Sequence, residues 1–122
     1  MADKLIVVMV NTDPQNPSEL GAPFFQATVA ASMEYEVEVI LTGRAGELAK
    51  KGVAENIQLY AEGAKSVYDY IKEAHEAGVK FMVCTPTLNL WGDDLIPEID
   101  DTIGSAYIIS EAMSDNTVTF TY

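Results

Sequence analysis

The chain has 122 residues, of which 48% are hydrophobic, so it is long enough to bury one core and too short for two ordinary ones. We therefore predict a single domain over residues 1–122. Its 19 acidic and 7 basic side chains give a formal net charge of -12, which repels phosphate backbones and anionic headgroups and excludes nucleic acid and membrane surfaces as partners. The single cysteine cannot form an internal disulfide, and residues 1–10 lack the basic leader of a signal peptide, so we expect a cytoplasmic location.

The first third of the chain predicts a strand, a helix and a second strand. Residues 5–10 form an apolar, largely branched run, which is typical of a strand covered on both faces. Two prolines in residues 11–18 predict a loop at the carboxyl end of that strand, where open α/β sheets bind ligands. Apolar residues at helical spacing predict a helix from near Pro23 to about Met33, and residues 36–41 predict the second strand.

The middle of the chain is less regular. Residues 42–46 hold two glycines and predict a turn, after which residues 47–51 predict a short helix that ends before Gly52. Residues 53–63 carry no clear periodicity, and within them residues 57–60 fit either a short strand or a loop. An apolar stripe then predicts a helix over residues 64–77, with the following glycine as its stop.

The next predicted strand ends at the only cysteine of the chain, just before a turn. Residues 81–83 are apolar and are followed by Cys84, Thr85 and Pro86, which predicts a buried strand that ends at the cysteine. Pro86 suits the first turn of a helix, with Thr85 as its candidate cap. Backbone N–H groups at a helix N-terminus favour an anion, and therefore the reactive thiolate. The position consequently favours a reactive Cys84.

Short elements follow the cysteine. Residues 88–92 predict a helical turn or a loop, and Asp93 and Asp94 are candidate caps for the next segment. Residues 96–101 predict a short strand that Pro97 interrupts near its start.

The chain closes with a helix and a strand. Residues 104–113 predict the last helix, with Ala106, Ile109 and Met113 on its apolar face, and residues 117–122 alternate as an edge strand. Strands that alternate with helices predict an α/β fold with a mainly parallel, doubly wound sheet and helices on both faces, of the flavodoxin-like type.

Several chemistries lack the residues that they need. There is no second cysteine to resolve a mixed disulfide, and no Gly-x-x-x-x-Gly-Lys loop, so we predict neither dithiol redox chemistry nor a cofactor. One histidine and one cysteine leave no zinc ligand set, so no metal site is predicted. We expect His75 at the border of a helix's apolar stripe and Trp91 in a packing role.

The order of these elements resembles that of a known family. The matching features are an apolar first strand, a loop with Thr12, Asp13 and Pro14, an alanine-rich helix, the run from Gly78 to Cys84, and a final helix that opens with Gly104, Ser105 and Ala106. In these features nearly the whole chain resembles the DsrE/DsrF-like family of small sulfur-relay proteins. The resemblance implies a flavodoxin-like fold, assembly into trimers or hexamers, and a cysteine, here Cys84, that carries sulfur as a persulfide from a donor protein to an acceptor.

Two functions from different classes follow. The first is a sulfur carrier or sulfurtransferase-type protein that uses the Cys84 thiolate. Free cysteine is among the most buried residue types, so the alternative is a structural Cys84 in a non-enzymatic ligand-binding or assembly module. Loops after parallel strands converge at the carboxyl edge of the sheet, which gives the candidate cleft residues Asn11, Thr12, Asp13, Gly43, Arg44, Thr85 and Asp101. If Arg44, the only arginine, faces Cys84, it supplies a cation for the thiolate.

The composition also predicts self-association. Nearly half of the residues are apolar, and a domain of this size cannot enclose them all, so we expect a homo-oligomer, either a trimer or a hexamer built from two trimers. The net charge of -12 opposes association, so the interface should be apolar with carboxylates kept to its rim.

Overall fold

A computed structural model describes residues 2–59 and 65–122, and its centre is a five-stranded sheet. The strands are β1 (Lys4–Met9), β2 (Glu36–Leu41), β3 (Lys80–Cys84), β4 (Ile99–Ile103) and β5 (Thr117–Thr121). They lie in the order β4-β3-β2-β1-β5, and every neighbouring pair is parallel.

Four α-helices connect the strands. They are α1 (Gly21–Ser32), α2 (Val67–Glu76), α3 (Thr85–Trp91) and α4 (Ser105–Ala112). Three 3₁₀ segments accompany them among the described residues, at Pro17–Glu19, Gly43–Ala49 and Ala54–Asn56.

The direction of the connections decides which helix covers which face. The chain steps from β1 to β2, β3 and β4 in one direction, and right-handed crossovers therefore place α1, α2 and α3 on one side of the sheet. The last connection returns across the sheet to β5, so α4 lies on the opposite side. The predicted α/β fold with a parallel sheet and helices on both faces is confirmed.

Each face has its own core. The face covered mainly by α1 and α2, with the short α3 also on this side, is called here the two-helix face. It holds the larger cluster, which includes Phe24, Ile71 and Phe81. The opposite face, called here the α4 face, holds a small cluster of four buried residues, packed under Tyr107 and Ile108 of α4. Those four are Ile6, Ile40, Met82 and Ile103.

The apolar strands lie where the sequence predicted them. The β1 strand begins one residue earlier than expected, β2 matches at both ends, and β3 ends at Cys84. The edge strand over residues 117–122 is confirmed as β5. The central residues of β1, β2 and β3 are largely buried on both faces, which explains why short apolar runs were sufficient to locate these three strands.

Two predicted elements were wrong in position. The helix expected at residues 47–51 is instead the 3₁₀ segment Gly43–Ala49, which ends before the two lysines. The strand expected at residues 96–101 is β4, which begins at Ile99 because Ile96 is used in the core and its N–H donates to the Ala49 carbonyl at 2.8 Å. Asp93 and Asp94 therefore precede a strand and cap no helix.

The last helix has the predicted span but not the predicted face. Tyr107 and Ile108 pack on the sheet, whereas Ile109 is 63% exposed, Met113 is 78% exposed and Ala106 is also exposed. The predicted apolar face of α4 is thus turned toward solvent.

Helix α2 begins later than predicted, at a capping box. The Ser66 hydroxyl accepts from the Asp69 N–H, and the Asp69 carboxylate accepts from the Ser66 N–H, which satisfies two N–H groups that the helix start would otherwise leave unpaired. Of the irregular stretch 53–63, residues 54–56 form a 3₁₀ turn and Gln58 bridges to Ser66, while residues 60–64 lie outside the described residues.

Candidate functional site

Cys84 is the last residue of β3 and the residue immediately before α3. It is a free thiol with 5% of its surface exposed, on the α4 face together with Met82. Its backbone is extended, with φ of -77° and ψ of 140°, and it occupies the cap position of α3. The predicted location at the carboxyl end of a parallel strand is therefore what the structure shows, but the side chain is covered.

The chain leaves β3 and β4 toward opposite faces of the sheet. After β3 it enters α3, whose Leu88 packs against the core of the two-helix face. After β4 it enters α4 on the other face. In open α/β sheets, neighbouring strands whose connections diverge in this way leave a crevice between their carboxyl ends. Cys84 and its register partner Ile103 are the residues at that crevice.

Among the described residues, one side-chain hydrogen bond joins the carboxyl ends of β3 and β4. The Thr85 hydroxyl donates to the Ile103 carbonyl at 3.1 Å, which ties the start of α3 to the end of β4. The prediction that Thr85 caps α3 was wrong, because the chain turns one residue earlier and Thr85 is already the first helical residue. Its hydroxyl is therefore available to the neighbouring strand.

The other cleft candidates form a separate group at the carboxyl ends of β1 and β2. Asn11 and Thr12 line a cavity of about 270 Å³ together with Tyr122. The Arg44 guanidinium lies 3.7 Å from the Asp13 carboxylate, and 58% of the arginine side chain is exposed. Arg44 thus pairs with Asp13, and its contact in the described structure is with this carboxylate instead of the cysteine thiol.

Two glycines let this loop pack closely, one against the residue that follows β1 and the other against α3. Gly43 has φ of +56°, and a Cβ there would lie 2.9 Å from the Val10 carbonyl oxygen. A Cβ on Gly46 would lie 2.2 Å from a methyl carbon of Thr87. The Trp91 indole N–H donates to the Gly43 carbonyl at 2.9 Å, so the tryptophan has the packing role expected of it and also anchors the loop.

Asp101 does not lie at the carboxyl edge. It sits in the middle of β4, opposite Met82, and its carboxylate accepts from the Thr102 N–H. The shift of β4 toward the C-terminus explains this position. Its neighbour Asp100 lies 3.0 Å from the His75 ring nitrogen, which places His75 in a half-exposed pair at the surface of α2.

The sequence reasoning missed a buried ionic cluster on the α4 face. The Lys4 ammonium is 9% exposed and contacts the carboxylates of Glu38 at 3.1 Å and Glu36 at 3.4 Å, and it also donates to Glu111. The Tyr107 hydroxyl donates to both Glu38 oxygens at 2.9 Å. The signal in the sequence was Glu38, a charged residue directly before the apolar end of β2.

Burial and hydrogen bonds shift the pKa values of Lys4 and Tyr107 in this cluster. Burial alone would lower the pKa of Lys4, but its hydrogen bonds to Glu111 and Glu38 outweigh burial and raise that pKa well above its ordinary value. Burial and the hydrogen bond to Glu38 raise the pKa of Tyr107 to about 12. Lys4 is therefore held as a cation and Tyr107 as a neutral donor.

The comparisons with known proteins identify the family. A sequence profile described as the DsrE/DsrF-like family matches residues 4–121, which is nearly the whole chain. The chain belongs to the DsrE/DsrF-like family. No curated protein matches its sequence.

Solved structures agree with the DsrE/DsrF-like assignment at the level of the fold. The YchN protein of E. coli is 16% identical and superposes with a TM-score of 0.75, and the match covers 100% of both chains. A conserved protein of unknown function from Bacteroides thetaiotaomicron, BT1422, is 15% identical with a TM-score of 0.68, over 98% of this chain and 95% of that one.

The described part of the DsrE/DsrF-like chain has neither a membrane-spanning helix nor a cluster of metal ligands. Within residues 2–59 and 65–122, no helix has both the length and the apolar character that crossing a bilayer requires. The same part of the chain brings together no set of three or more His, Cys, Asp or Glu side chains that could hold a metal ion.

Proposed function

We propose that this protein is a sulfur carrier of the sulfurtransferase type, in which Cys84 accepts sulfane sulfur as a persulfide and passes it to a partner protein. The observation that carries the proposal is the position of Cys84 at the crevice between the carboxyl ends of β3 and β4, in a chain that belongs to the DsrE/DsrF-like family. A lone free cysteine also suits a reducing compartment, so we place the relay in the cytoplasm.

The transfer needs only thiol chemistry. The Cys84 thiolate attacks the outer sulfur of a persulfide on the donor, so that a new S–S bond forms at Cys84 while the donor's S–S bond breaks. The donor leaves as a thiolate, and the proton of the outer sulfur stays with the transferred atom. An acceptor thiolate then attacks the outer sulfur on Cys84 and regenerates the Cys84 thiolate, so no external oxidant or reductant is consumed.

The 5% exposure of Cys84 sets a condition on this chemistry. A donor persulfide can reach the sulfur only if the groups that cover it move aside. The Thr85 to Ile103 bond is one of the contacts that hold the two strand ends together, and a net intramolecular hydrogen bond is worth only about 1 kcal/mol. This one bond therefore adds little to the cost of opening, and the backbone pairing of β3 with β4 up to Cys84 and Ile103 supplies the rest.

The alternative is a ligand-binding module in which Cys84 is only structural. The separate cavity beside Asn11 and Thr12 favours it, because this cavity lies at a carboxyl edge of the sheet without involving the thiol. The two functions make opposite predictions for the chemistry of Cys84.

Loading with sulfur tests the proposal. The protein is incubated with a low-molecular-weight persulfide, freed of excess donor and weighed intact, beside the Cys84→Ser variant. We expect a gain of one sulfur atom that a reducing agent removes and that the variant lacks. No gain in the wild-type protein, or an equal gain in both, would favour the structural role of Cys84.

A further inference from the structure

The cavity beside Asn11 and Thr12 lies at the carboxyl end of β1, next to the start of α1, and is called here the α1 cavity. It encloses about 270 Å³. Its lining consists of Asn11, Thr12, Ser18, Glu19, Ala22 and Tyr122. The carboxyl ends of parallel strands are where open α/β sheets bind ligands. A cavity of this volume suits a ligand smaller than the cofactors and drug-sized molecules that fill larger clefts.

The Thr12 side chain is a buried polar group without a partner. The residue is 3% exposed, and among the described residues its hydroxyl has no hydrogen-bond partner. The Ser18 hydroxyl of the same lining, in contrast, donates to Asn16 at 2.7 Å. The unpaired hydroxyls of Thr87 and Thr117 are closed to solvent, whereas the Thr12 hydroxyl is not and opens onto the α1 cavity. Because buried polar groups are normally hydrogen-bonded, this hydroxyl marks a point where a ligand binds.

The start of α1 favours a negative group at the same place. The first N–H groups of an α-helix have no partner within the helix. Leu20 precedes α1, its apolar side chain cannot accept from these groups, and the first turn holds no acidic residue. The N–H groups of Gly21 and Ala22 and the Thr12 hydroxyl are therefore donors for a ligand carboxylate.

The Glu19 carboxylate brings a negative charge to the same cavity. Its oxygens accept from the Asp13 N–H at 2.9 Å and from the Asn16 side-chain amide at 2.8 Å, which fixes the carboxylate in place. Each oxygen keeps a second lone pair and can accept from a ligand ammonium. Glu19 and the net charge of -12 repel a simple anion such as phosphate, and the positive end of α1 repels a simple cation.

We propose that the α1 cavity binds a small free α-amino acid in its zwitterionic form. The ligand carboxylate accepts from the Thr12 hydroxyl and the start of α1, and the ligand ammonium donates to Glu19. Ala22 and the Tyr122 ring leave an apolar wall for a short side chain. Of an anion, a cation and a zwitterion, only the zwitterion places each charge beside its complement. The site makes no use of Cys84, so it stands independently of the sulfur relay.

Titration of the wild-type protein with glycine, L-alanine and L-serine is the first part of the test. Binding is measured by isothermal titration calorimetry and located by NMR shifts of the Thr12, Gly21 and Ala22 amides. Two derivatives of the amino acid that binds are the matched probes. The amide derivative lacks the carboxylate, and the N-acetyl derivative lacks the ammonium.

Two variants of the cavity and two controls form the second part. Thr12→Val removes the hydroxyl and keeps the shape of the side chain, and Glu19→Gln removes the charge. Thr102→Val and Glu76→Gln make the same changes at exposed residues outside the cavity. Circular dichroism confirms that each variant folds, and the derivatives test the proposal on the unchanged chain if a cavity variant does not fold.

We expect saturable binding of at least one of the three amino acids at millimolar concentration, with the largest shifts at the α1 cavity. Hydrogen bonds to charged groups are the stronger ones, so both derivatives and both cavity variants should bind about tenfold more weakly or worse, while the controls bind like the wild type. The proposal is overturned if none of the three amino acids binds saturably, or if either derivative binds as tightly as its parent. Wild-type affinity in either folded cavity variant would overturn it as well.

Discussion

Replacing Lys4 by methionine should be far more damaging than an ordinary surface change. Methionine keeps the apolar stem of the side chain but removes the ammonium that lies 3.1 Å from Glu38. Glu38 is 4% exposed, so its carboxylate would remain in a buried position without its cation. Removing one partner of a buried ion pair costs about 3–5 kcal/mol, because the other charge is left uncompensated.

The assay is equilibrium unfolding in urea at pH 7, with Lys51→Met as the matched control. Lys51 also pairs with a carboxylate, Asp94 at 3.3 Å, but its side chain is 57% exposed and its partner is 74% exposed. The control should therefore lose only about 0–1 kcal/mol of unfolding free energy. The double variant Lys4→Met with Glu38→Gln should recover much of the loss, because the buried charge is gone and Tyr107 still has an acceptor.

The reasoning is refuted if Lys4→Met and Lys51→Met lower the unfolding free energy by the same amount. It also fails if the double variant is no more stable than Lys4→Met alone. Either result would mean that Glu38 finds water or another partner once Lys4 is shortened.

Three further changes test other parts of the structure. Gly46→Ala should lose about 1–3 kcal/mol of unfolding free energy, because its methyl group would overlap a buried side chain of α3, whereas Gly104→Ala, with nothing within 4 Å of the new carbon, should lose less than half as much. The folded state raises the pKa of Tyr107 to about 12 from an ordinary value of 10.0, so between these pH values the folded state binds more protons than the unfolded state and the unfolding free energy falls as pH rises. Tyr107→Phe should reduce that slope by up to about 1.4 kcal/mol per pH unit. An unchanged slope would contradict the assignment. Thr85→Val removes the bond that closes the crevice and should speed alkylation of Cys84 several-fold, whereas Thr85→Ser should react at the wild-type rate.

The sequence was most informative where burial alone determines structure. The strands β1, β2 and β3 are apolar because both of their faces are covered, so their positions could be predicted to within about one residue. The position of β4 could not be predicted as closely, because β4 is an edge strand with two aspartates and the apolar Ile96, which lies in the loop before it, is buried in the core.

The candidate site was predictable in part. The position of Cys84 at the end of a strand follows from the short apolar run before it. The burial of the Cys84 side chain does not follow from that run, because burial depends on which strand lies beside β3 and on how α4 crosses the sheet. The inward face of α4 was missed for a similar reason, since Tyr107 turns inward to reach Glu38, a residue distant in sequence.

Discharge of sulfur from loaded Cys84 tests the relay most directly. Protein carrying one persulfide sulfur is separated from its donor and mixed with a thiol acceptor of distinct mass, and both are weighed intact over time. The relay predicts that the protein loses one sulfur atom at the rate at which the acceptor gains one, and that the regenerated Cys84 can be loaded again. A persulfide that the protein retains, or that is lost without any gain by the acceptor, would contradict a carrier function.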